Sequence, residues 1–202
     1  MNDALQEKAS RPVGEVVVAS TTEFVTQCHA LYEAPPLGSL VRCGGDSPIY
    51  GVVGDVTTRS IDPGRRPMAL GEDEDTEEAV YQRNPQLNRL LTTEFRSVVV
   101  GHRADGRLNR YLAPLPPRIH AFVYAASVDE TVTLATSPTV LPVLVAANTD
   151  AGDDFIAAGI RTLAASSGDP EAFLVDAGRR LVHILRGESQ RLQTLLPKIR
   201  PG

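Results

Sequence analysis

Apolar positions recur every second residue in the first half of the chain and at helical spacing in the last third. "VGEVVVAS", from Val13, is a short β-branched run. "TEFVTQCHALY" alternates, with Phe24, Thr26, Cys28 and Ala30 on one face and Val25, Gln27 and His29 on the other. The turn "APPLGS" leads into "SLVRC", and the turn "GGDSP" leads into "IYGVVGDVTT". Short strands so closely punctuated by Gly and Pro predict a small barrel or sandwich. Gly51 and Gly54 fall inside a strand pattern, where glycine marks the bulge or bend that barrel closure uses.

Residues 59–71, "RSIDPGRRPMALG", read as a loop. The acidic run "EDEDTEEAV" suits a helix start, because carboxylates oppose the positive end of the helix dipole. Val80, Leu87, Leu90 and Leu91 give a short helical face, broken near Asn84-Pro85. "TEFRSVVVGHR" returns to a β pattern, "ADG" is a turn, and "RLNRYLAPLPPRIHAFVYAAS" closes the β-rich part through a proline-rich link.

The pattern then changes period. "VDETVTLATSPTVLPVLVAAN" fits helix or strand, and Pro138 and Pro142 limit any single long helix there. In "DDFIAAGIRTLAAS", Phe155, Ile156, Gly159, Ile160 and Leu163 fall at helical spacing. "SGDPEAFLVDAGRRLVHILRGESQRLQTLL" reads as the clearest helix, with Asp169 as N-cap, Pro170 at the first position and Glu171 in the first turn. Leu174, Ala177, Leu181, Ile184 and Leu185 form its apolar face, Leu192, Leu195 and Leu196 continue it, and Pro197 ends it. The expected fold class is therefore α+β. A flexible tail (1–12) precedes a small closed β-barrel (13–126) carrying a loop and helical insertion at about 59–92, and a helical C-terminal region (127–202) follows.

Charge and composition remove several function classes. The formal net charge of -5 gives no global basic field to draw in nucleic acid. Lys8 and Lys198 are the only lysines, and neither stands in a glycine-rich phosphate loop, so Walker-type ATP hydrolysis within these residues is excluded. His29, His102, His120 and His183 show no metal-binding spacing and read as hydrogen-bonded structural residues. No G-x-S-x-G elbow is present. No catalytic, cofactor-binding or metal-ligating residue is assigned.

Cys28 and Cys43 read as buried thiols of a reducing compartment. The polar "MNDALQEKASRP" holds no apolar signal core, and no run is long enough to span a bilayer, so a cytoplasmic protein without membrane contact is expected. "GEDEDTEE" (72–78 at its core) lacks EF-hand spacing. It reads as a solvated helix start, or else as an acidic patch facing a partner. Arg59, Arg65 and Arg66 flank one loop. Arg96, Arg103, Arg107, Arg110 and Arg118 lie around a predicted hairpin, where they serve solubility or contact phosphates or an acidic partner.

The order "GEVVVASTTEFVTQ", "PPLGSLVRC", "IYGVVGDV" resembles the HAS-barrel, the small β-barrel shared by HerA-type DNA-translocating ATPases and the catalytic-ring subunits of rotary ATP synthases. The matching positions are Gly14, Val16, Ser20, Phe24, Pro35, Gly38, Val41, Gly51 and Val53. The match covers about 13–58 and extends by pattern to about 125; no RecA-like core follows within the chain. The resemblance implies a non-catalytic assembly or adaptor module, docking on a separately encoded HerA-like ATPase in DNA processing or repair. It also implies that barrels assemble in a ring, as a homo-oligomer would. The alternative is direct nucleic-acid binding through the Arg96–Arg118 region.

Overall fold

A computed structural model describes residues 11–136 and 139–200. The expected tail, apart from Arg11 and Pro12, and the proline brake at Pro138 lie outside the described residues.

Seven strands are β1 (Gly14–Ala19), β2 (Glu23–Cys28), β3 (Leu40–Cys43), β4 (Ile49–Ser60), β5 (Leu91–Ala104), β6 (Arg107–Asn109) and β7 (Phe122–Ala125). All pair antiparallel in the order β2-β1-β7-β3-β4-β5-β6, and β2 also pairs with β5. That extra pairing closes β1, β2, β5, β4, β3 and β7 into a six-stranded barrel, with β6 hanging from β5 as a short hairpin. Closure gives each of those six strands a neighbour on both sides, while the far end of β4, Asp55–Ser60, pairs with β5 alone among the described residues.

The expected bulges are present. The β4–β5 register shifts between Tyr50 and Gly51 and again between Val53 and Asp55. Each shift adds twist and bends the long strand around the barrel. At Gly51 an added Cβ would sit 2.9 Å from both the Phe24 ring and the Ser97 side chain, so the bend also makes room for Phe24.

Pairing runs on through Arg59–Thr92 and Ser60–Leu91, so the inserted segment spans 61–90, inside the expected limits of about 59–92. Arg59 and Ser60 were expected in the loop but are strand, because each finds a full ladder partner. The insertion holds α1 (Glu77–Arg83) and the single turn α2 (Leu87–Leu90). Thr76 caps α1, its hydroxyl accepting from the Ala79 N–H at 3.2 Å, while Glu77 and Glu78 occupy the first turn. Glu74 pairs with Arg83 at 2.8 Å. The acidic run is thus a helix start with one internal ion pair.

Five helices follow among the described residues: α3 (Val128–Ala135), α4 (Val140–Ala146), α5 (Gly152–Ser166), α6 (Pro170–Ile184) and α7 (Ser189–Lys198). The ambiguous stretch 129–147 is helical on both sides of Ser137-Pro138. The long C-terminal helix expected from the sequence is two helices. Gly187 takes φ 99°, and the Leu185–Glu188 turn redirects the chain so that α7 can fold back. Asp169 caps α6 through the Ala172 N–H at 3.0 Å, as the sequence indicates.

Two cores result. Val16, Phe24, Val41, Val53, Phe95, Val99 and Val123 fill the barrel with Cys28 and Cys43. Tyr50, Val52, Val98 and Val100 point out of the same β4 and β5 into a second core with Leu144, Phe155, Ile156, Ile160, Leu181 and Leu195. Strands buried on both faces lose their polar alternation, which accounts for the unbroken "GVV" and "SVVV" runs. The helices sit tightly on the barrel. Gly38 has φ +81°, and a Cβ there would lie 2.3 Å from the Ala158 carbonyl carbon of α5.

Candidate functional site

The five arginines from Arg96 to Arg118 differ in their partners. Arg96 on β5 reaches Glu23 at 3.7 Å and Asp150 at 3.6 Å, tying the barrel to the segment before α5. Arg103 donates to the Tyr50 hydroxyl at 3.4 Å and to the Gly106 carbonyl at 3.3 Å. Tyr50 in turn donates to Glu130 at 3.1 Å. Glu130 also closes the α3 capping box with Ser127 and lies 3.6 Å from Arg42. This chain of contacts joins β3, β4 and β5 to α3. Burial pushes the Tyr50 hydroxyl above its ordinary pKa, so it stays a donor near neutrality. Arg107, Arg110 and Arg118 are exposed, with no carboxylate partner among the described residues.

Between β6 and β7 the link forms a strap across the barrel. Ala113 and Pro117 are buried and anchor it. His102, itself buried, pins its start: Nδ1 lies 3.1 Å from the Tyr111 carbonyl, and Nε2 lies 3.3 Å from the Asn109 amide nitrogen. An Nδ1–H tautomer donates to Tyr111 and accepts from Asn109, satisfying both contacts. The Tyr111 ring meets the His102 ring edge-on at 5.3 Å. Around these anchors three large apolar side chains face outward: Tyr111 at 67% exposure, Leu112 at 43% and Leu115 at 74%. Three such residues within five positions are an unusual concentration for a protein surface.

The remaining histidines have structural partners or lie exposed. His29 and His120 flank Glu15 at 3.3 and 3.0 Å. Their hydrogen bonds, His120 first, hold that carboxyl below its ordinary pKa. His29 lies one residue past the end of β2, and Ala30 beyond it is exposed, so the predicted alternation stops at Cys28. His183 is exposed on α6. Among the described residues no three His, Cys, Asp or Glu side chains are placed to hold a metal ion. No helix among them is long and apolar enough to cross a membrane.

Both cysteines are free and buried. Burial pushes the Cys43 thiol to about 12 and, with help from Glu33 and Glu94, the Cys28 thiol to about 11.

The positions that carry the barrel motif have packing duties. At Gly14 an added Cβ would meet the Gln27 carbonyl oxygen at 2.1 Å. Val16, Phe24, Val41 and Val53 are fully buried inside the barrel. Pro35 is buried in the loop that brings Gly38 onto α5, and Ser20 caps the β1–β2 turn by accepting from the Glu23 N–H at 3.0 Å.

Sequence reasoning missed Arg42, Glu130 and the outward ring of Tyr124. The signal for Tyr124 was its place in "AFVYA", two residues from Phe122 and therefore on the same strand face. Nothing local pairs Arg42 with Glu130, which lie far apart in the chain. In comparison with known proteins, the chain matches no family model and no curated relative.

Proposed function

We propose that this chain is a non-catalytic assembly or adaptor module whose barrel belongs to the HAS-barrel type and which docks on a separately encoded HerA-like DNA-translocating ATPase. The exposed apolar strap carries this reading. Tyr111, Leu112 and Leu115 stand out from backbone fixed by Ala113, Pro117 and His102, so an incoming surface meets a rigid apolar ridge. A rigid ridge loses little conformational entropy on binding, which favours its use as an anchor. Arg107 and Arg110 beside it have no carboxylate partner among the described residues and suit an acidic rim on the partner.

The test is co-elution with a purified HerA-like ATPase. The wild-type chain is expected to co-elute, and Tyr111→Glu with Leu115→Glu is expected to elute alone while keeping its thermal midpoint. Separate elution of the wild-type chain, or undiminished co-elution of the double variant, would contradict the reading.

A further inference from the structure

On β7, Phe122 and Tyr124 alternate with buried Val123, so both rings lie on the outer face of the barrel. On neighbouring β3, Arg42 stands opposite Tyr124, its guanidinium carbon 4.5 Å from the ring centre. The Arg118–Ala121 stretch and the Gly44–Gly45 turn wall these groups into a cleft of about 700 Å³, to which no helix among the described residues contributes. An added Cβ at Gly44 or Gly45 would meet nothing within 4 Å, so the turn leaves the mouth open.

The charges in and beside the cleft are unevenly matched. Glu15 is held by His29 and His120. Glu130 lies 3.6 Å from Arg42 but also accepts from the Tyr50 hydroxyl and the Ser127 N–H. Arg118 has no carboxylate partner among the described residues. Phe122 is 48% exposed, and its ring stands nearly perpendicular to the His29 ring, centroids 6.2 Å apart. A half-exposed aromatic ring, a guanidinium stacked on a second ring and an arginine without a carboxylate partner among the described residues together fit a ligand with a flat π surface and a nearby anion.

We propose that this cleft binds single-stranded nucleic acid, one base stacking on Phe122 and an adjacent phosphate held by Arg118. Single strands offer both features at once, whereas a duplex hides its base faces. The net charge of -5 argues that contact is local and led by stacking, with a shallow salt dependence. The cleft shares no residue with the Tyr111–Leu115 ridge, so the two surfaces are separable by mutation.

Fluorescence anisotropy with a labelled oligothymidine of about 12 nucleotides tests this. Phe122→Ala is expected to weaken binding about tenfold and leave the salt slope unchanged. Arg118→Ala is expected to weaken binding and flatten the log–log salt slope by about 0.7. Arg107→Ala and Arg110→Ala should bind like the wild type. If the alanine variant at Phe122 melts early, Phe122→Leu, which keeps bulk but removes the π face, carries the same expectation. No anisotropy change at the lowest salt would overturn the proposal. So would a duplex that competes equally well, or variants at Phe122 and Arg118 that bind undiminished.

Discussion

Inside the barrel, Phe24 lies against the Gly51 backbone and the Ser97 side chain; beneath the helices, Leu144, Ile160, Leu181 and Leu195 share one aliphatic cluster. The first space is bounded by hydrogen-bonded backbone on all sides and cannot expand. It therefore takes small residues where a large one already stands, including Thr26 and Ser97, whose hydroxyls find no partner among the described residues. The second space lies between helices and a sheet face, which can shift until large side chains fit. The barrel core is limited by room and the helical core by contact.

Breaking the helical core should have the largest effect. Leu181 is fully buried, so Leu181→Asp leaves an unpaired charge there and should cost roughly 4 kcal/mol or more in a urea titration. An unchanged midpoint would show that α6 does not seal that core. Gly38→Ala attacks the seam between the regions, combining a left-handed φ with a Cβ inside the α5 backbone, and should cost about 3 kcal/mol. Gly51→Ala overfills the barrel alone and should cost about 1–3 kcal/mol.

Alkaline titration reads the barrel interior through its thiols. Folding raises the pKa of Cys28 to about 11 and of Cys43 to about 12, which favours the neutral form. The linked stability is complete below the unfolded thiol pKa and is lost as pH rises from there through the folded values. Thermal midpoints should therefore fall above about pH 9 in the wild type, and less in a Cys28→Val, Cys43→Val variant. Equal falls would place the alkaline lability elsewhere. The smallest change is expected for Thr26→Val, which removes an unpartnered hydroxyl at constant shape and should stay within about 1 kcal/mol of the wild type. A larger loss would mean that the hydroxyl has a partner in solution.

The barrel was largely legible in the chain because period-2 alternation and glycine punctuation are local signals. Gly51 and Gly54 announced bulges, and both register shifts lie beside them. The helical layer was legible as period but not as division. Leu185 and Leu192 keep helical spacing across Gly187, so the periodic reading runs through the left-handed glycine that ends α6 and turns the chain into α7. The partners of the arginine cluster were not legible, because sequence proximity says nothing of them. Asp150 claims Arg96 and Tyr50 claims Arg103, both from distant parts of the chain. The exposed ridge had no readable sign either, since "RYLAPL" looks like a hydrophobic strand until Ala113 alone turns inward.

Hydrogen exchange of this chain with and without the HerA-like ATPase tests the docking account most directly. The account predicts that amides of residues 110–117 slow on addition of the ATPase while those of α6 do not change. Unchanged exchange across 110–117 in a mixture shown to be complexed would contradict it.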